Sequence, residues 1–160
     1  MRFEYDDMPS SSKLWIYQAN RILKRSEEVR IQQLLDIFLE DWHSHQQNLK
    51  AFGCIKKSAF ILIMVDENVN MASGCSIDKS VHFIQTIEKE IGVDLMNRMI
   101  FAVNDNGDLK LIDRKGFEDL YSKGVINDHT IVYNNLVNTK EEFEKKWEIP
   151  LAESWHKQMI

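Results

Sequence analysis

Ala59-Phe60-Ile61-Leu62-Ile63-Met64-Val65 is an unbroken apolar run. A strand with one solvated face alternates apolar and polar residues, and this run does not. It is therefore predicted to be a strand buried on both faces near the centre of a sheet. It is far short of the roughly 20 residues that cross a bilayer. Residues 50–57 read as the strand before it. Leu14-Trp15-Ile16-Tyr17 is aromatic and branched, and reads as the first strand. Between them Ser26 can cap a helix, with Glu27 and Glu28 in the first turn. Ile31, Leu34, Leu35, Phe38, Trp42 and His45 then recur at steps of three and four, which predicts a helix over 27–47.

On the other side of the run lies a polar loop from Asp66 to Ser76. Ile77, Val81, Ile84, Ile87 and Ile91 line a second helix, which Gly92 is placed to end. Ile100–Val103 and Leu109–Ile112 flank Asn106-Gly107, a pair suited to a type I′ hairpin turn. Residues 115–123 form a short predicted helix closed by Gly124. Thr130–Tyr133 reads as a strand. Thr139 and Glu142 make a capping box for a helix through Trp147, which Pro150 would stop. Residues 1–12, polar and ending in Pro-Ser-Ser-Ser, read as a loosely attached lead. The order β-α-β-β-α-β with a further strand and an αβα tail predicts one α+β domain over 1–160. Its sheet is mixed or antiparallel and packed by helices, with a split-βαβ, ferredoxin-like core. A different mixed sheet fits the same order, because order along the chain does not set order in the sheet.

Composition narrows the class. Of 160 residues, 44% are hydrophobic and 28% charged, with 6 Gly and 2 Pro, which excludes disordered and collagen-like chains. A chain of this length buries roughly two-thirds of its unfolded surface, so neither disulfide nor metal is needed for folding. Lys and Arg number 20 against 25 Asp and Glu, a net charge of −5. Nucleic acid, which calls for a basic face, is not an expected partner. Lys50, Lys56 and Lys57 read as a solvated strand edge. Cys54 and Cys75 match no zinc or C-x-x-C spacing. The start has no apolar signal segment, so a cytoplasmic protein with two free thiols and no membrane span is expected.

Three patterns could carry chemistry. Phe60–Glu67 is a buried strand ending in two carboxylates. It resembles the Walker B segment of ABC-type ATPases, in which the Asp holds Mg²⁺ and the Glu orients water. By that resemblance Asp66 and Glu67 are candidate ligand residues; otherwise they are polar residues that end a buried strand. Gly74-Cys75-Ser76-Ile77-Asp78-Lys79-Ser80 lacks the second Gly of G-x-x-x-x-G-K-[ST], is one residue short, and follows the strand. Ser73–Asp78 runs small residues into a helix start, with Ser76 as the expected cap and Cys75 just outside the first turn. Amides there favour a thiolate or a bound anion, so Gly74, Ser76 and Lys79 are candidate anion-binding residues. A nucleophilic Cys75 needs a base. His45, four residues after Asp41 on the predicted helix, supplies an Asp41-His45-Cys75 set. The plainer readings are a His at a helix end and a small buried thiol. His43-x-His45 is dismissed as a metal pair, since residues two apart on a helix diverge.

Leu14-Trp-Ile-Tyr-Gln-Ala-Asn-Arg21, Met64-Val-Asp-Glu67, Ser73-Gly-Cys-Ser-Ile-Asp78 and Ser154-Trp-His156 carry a resemblance across the whole chain. It is to a family of small bacterial proteins labelled "ABC transporter ATPase", and the resemblance implies no established activity. Three functions are expected to compete. One is a soluble, non-catalytic binding or oligomeric protein, whose partner is a small molecule, another protein or a second copy. Another is a thiol-dependent enzyme built on Cys75. The third is nucleotide or phosphate binding over 66–79. No cofactor is called for.

Overall fold

In the computed structural model, which describes residues 2–160, all six side chains of Phe60–Val65 are buried. In chain order the strands are β1 (Lys13–Gln18), β2 (His43–Ser44), β3 (Gln47–Asn48), β4 (Ala51–Lys56), β5 (Phe60–Val65), β6 (Ile100–Asp105), β7 (Asp108–Asp113), β8 (Ile131–Tyr133) and β9 (Glu148–Pro150). The helices are α1 (Arg25–Asp41), α2 (Gly74–Ile91), α3 (Arg114–Ser122) and α4 (Lys140–Lys146).

β5 is the middle of a three-stranded antiparallel sheet, order β1-β5-β4. β1 and β4 therefore run parallel with β5 inserted between them, which is the predicted split βαβ. One face of β5, through Ile61, Ile63 and Val65, packs on Ile31 and Leu35 of α1 and on Ile84 and Ile87 of α2. The other, through Phe60, Leu62 and Met64, packs on Met8, Tyr133, Phe143 and Trp147. Burial on both sides is why the run does not alternate. Each such side chain contributes about 1.5–3 kcal/mol.

The fold is α+β with antiparallel sheets, as the element order implied. A ferredoxin-like core would add its fourth strand beside β1. Here β6 instead enters a separate four-stranded sheet, order β7-β6-β8-β9, over a cluster of Phe101, Val103, Phe117, Ile126, Val132 and Leu151. The outer edge of β1 is taken by a later segment: Leu14 N donates to Asn138 O at 3.0 Å, and Lys13 bridges to Thr139. Gln18 Nε2 ties the two sheets by donating to Ile100 O at 2.8 Å.

The glycine signals read correctly. Asn106 and Gly107 have φ of 53° and 92° in the β6–β7 turn, and Gly92 and Gly124 are left-handed at 75° and 74°. Three expectations are corrected. Residues 2–12 are fastened, not loose: Met8 and Ser12 are buried, and Lys140 Nζ donates to Tyr5 O (3.0 Å) and Met8 O (2.7 Å). α1 ends at Asp41, not 47, because Trp42 leaves the helix to bury its ring. Pro150 lies in β9, and α4 has already ended at Lys146. Among the described residues no helix is long and apolar enough to cross a membrane.

Candidate functional site

The predicted site residues are held by three pieces of chain: the end of α1 with the β2–β3 hairpin, the loop 66–73, and the start of α2. The hairpin turns through His45 and Gln46, at φ of 51° and 67°. His45 is thus exposed at a hairpin tip, not on the apolar face of a helix. Asp41 is exposed as the last residue of α1, so the helical Asp41–His45 spacing does not exist.

The cap of α2 is Ser73, not Ser76. Ser73 Oγ accepts from Ser76 N at 3.2 Å, and Ser76 Oγ accepts from Ser73 N at 2.7 Å. This reciprocal pair does for two serines what Ser and Glu do in the usual capping box. Ser76 is consequently buried, and its carbonyl accepts from Trp42 Nε1 at 2.8 Å. Cys75 sits inside the first turn as the second helical residue, and its thiol is exposed. The amides of Gly74 and Cys75 have no intrahelical acceptor. A Cβ on Gly74 would meet nothing within 4 Å, so no close approach within the chain requires glycine there. Lys79 is exposed about one turn further on.

Asp66 is 5% exposed. Its carboxylate faces the protein: Oδ1 accepts from Asn68 N at 3.1 Å and Oδ2 lies 3.3 Å from Lys50 Nζ. Glu67 Oε2 accepts from Ala72 N at 3.1 Å. Both carboxylates brace the loop. Among the described residues no group of three or more His, Cys, Asp or Glu could hold a metal.

Asn70 joins the pieces. Its Nδ2 donates to Ser44 O and to Gln47 O, both at 3.1 Å, on either side of the hairpin tip. A lone Asn in a polar loop carries no sequence signal for that role. His45 and Cys75 therefore belong to one end of the molecule. Among the described residues no hydrogen bond joins them, and none joins either to Asp41. Neither the cleft beside Ala51–Gly53 nor the one beside Gly92–Asp94 is lined by Cys75 or His45. What the braced loop does display is apolar: Val69 is 60% exposed and Met71 65%.

A Ser–His pair lies elsewhere. Ser154 Oγ is 2.6 Å from His156 Nδ1, but His156 is 2% exposed, stacked on Trp155 at 3.9 Å and edge-on to Phe101 at 5.1 Å. Burial pulls its pKa down to about 4, so the ring is neutral. Ser154 caps the last 3-10 turn through His156 N. The pair serves the core of the second sheet. The other thiol, Cys54, is pushed up in pKa, mainly by its burial. No protein-family model, no curated protein and no solved structure matches this chain.

Proposed function

We propose that the chain is a non-catalytic protein that pairs with a second copy of itself through the end built from loop 66–73, the β2–β3 hairpin and the start of α2. The observation that carries this is the display of Val69 and Met71 by a loop fixed at Asp66, Glu67 and Asn70. Large apolar side chains held outward on ordered backbone favour a macromolecular contact, and Met is enriched in such contacts. Asp41 is exposed beside Trp42, and Asp78 and Lys79 are exposed just after Ser76, at the two helix ends that the Trp42–Ser76 hydrogen bond joins. Both signs on one patch suit a two-fold arrangement, in which a surface must complement itself.

Cys75 supplies the test. In a Cys54→Ser background, a short bis-maleimide should join two chains through Cys75. The Val69→Ser/Met71→Ser variant should give only singly modified monomer. Equal cross-linking of both proteins would remove the support for this end as the contact.

A second reading, thiol chemistry at Cys75, is favoured by the exposed sulfur among unclaimed first-turn amides, with His45 pinned to the same end. A His45→Ala variant that alkylates at the parent rate across pH would count against it.

A further inference from the structure

We propose that the free edge of β4 is a strand-addition site for an extended peptide segment bearing basic side chains. The register establishes the edge. Asp66 N donates to Lys50 O at 2.9 Å, which makes 50, 52, 54 and 56 the residues bonded to β5. The main-chain groups of Ala51, Gly53 and Ile55 therefore point away from the sheet. Gln32 Nε2 donates to Gly53 O at 3.3 Å. Among the described residues the outward amides of Ala51, Gly53 and Ile55 have no acceptor. No proline or covering strand blunts this edge.

A cleft of about 190 Å³ runs beside it. It is lined by Asp36, Leu39 and Glu40 of α1, by Arg2 and Phe3, and by Ala51 to Gly53 of β4. That volume is below the ~300–1,000 Å³ of small-molecule pockets. It suits a strand edge with a helix alongside, the geometry in which added peptides gain main-chain hydrogen bonds and side-chain contacts. Gln32, Asp36 and Glu40 share one helix face at steps of four, so the wall is acidic. Arg2 already shows which chemistry it accepts: its guanidinium lies 3.6 Å from Asp36 Oδ2, in a pair 68% exposed on the Arg side. Such a surface pair is weak and displaceable. Lys50, at the start of the strand, is occupied by Asp66. The cleft shares no lining residue with the end proposed above for self-pairing.

The test uses fluorescence anisotropy with the intact chain and a labelled peptide of about six residues alternating valine with lysine or arginine. Glutamate in place of the basic residues, or a central proline, should weaken binding about tenfold or more. Asp36→Asn/Glu40→Gln should weaken it by a similar factor. Arg2→Ala should strengthen it, and this variant leaves the core untouched. Peptide binding should slow hydrogen exchange at the Gly53 and Ile55 amides. Absence of saturable binding would overturn the proposal, as would binding indifferent to the proline or to Asp36 and Glu40. Protection of the Gly53 amide by concentration of the protein alone would assign the edge to self-pairing and equally overturn it.

Discussion

Trp42 Nε1 donates to the Ser76 carbonyl at 2.8 Å in a buried contact that ties the end of α1 to the first turn of α2. The hairpin after Trp42 hangs on the same residue, since Leu49 N donates to Trp42 O at 3.0 Å. Trp42→Phe keeps an aromatic ring but removes the indole N–H and leaves a void. The expected loss is about 1–3 kcal/mol, read as a lower urea midpoint. An unchanged midpoint would mean that the contact does not organise this end.

Gly53 allows α1 to lie close on β4. A Cβ there would stand 2.9 Å from Leu35 Cδ2 and 2.9 Å from Leu39 Cδ1. Leu35 is fully buried and has little room to yield. Gly53→Ala should therefore destabilise by about 1–3 kcal/mol, the usual cost of overpacking. Stability equal to the parent would show that α1 can shift without loss.

His156 makes stability depend on pH. Its pKa falls from 6.5 to about 4 on folding because burial disfavours the imidazolium. Between those values the unfolded chain binds more protons than the folded one. The contribution is complete above pH 6.5 and is lost as pH falls towards about 4, up to about 3 kcal/mol. Denaturation curves across that window should be flatter in His156→Phe than in the parent. Parallel pH profiles would contradict a neutral, buried His156.

The two thiols should separate kinetically. Cys75 is exposed on α2, whereas the Cys54 thiol is raised in pKa, chiefly by its burial in β4. Iodoacetamide should modify Cys75 in the native protein and reach Cys54 mainly on unfolding. Rapid native labelling of Cys54 in a Cys75→Ser variant would contradict the packing of that face.

Patterns that local chemistry dictates were legible in the sequence. The unbroken run of β5 announced two-sided burial, and Asn106-Gly107, Gly92 and Gly124 announced left-handed backbone. The end of α1 was not legible, because Trp42 keeps the helical apolar spacing while leaving the helix. His45 and Gln46 take positive φ without a glycine to mark the turn. Ser73 and Ser76 stand three apart, so either reads as a cap until their reciprocal bonds are seen. The fastened N-terminal segment depends on Lys140, 132 residues from Met8, and the site depends on Asn70 reaching the hairpin. Such contacts arise only from the tertiary fold. Cys75 and His45 were therefore singled out by residue type alone, and Asn70, which ties their surroundings together, carried no signal.

Sedimentation equilibrium over the micromolar range, on the parent and on Val69→Ser/Met71→Ser, tests self-pairing most directly. The parent should pass from monomer to dimer as concentration rises, and the variant should stay monomeric with an unchanged unfolding midpoint. A parent that remains monomeric throughout, or a variant that dimerises as well as the parent, would contradict pairing through Val69 and Met71.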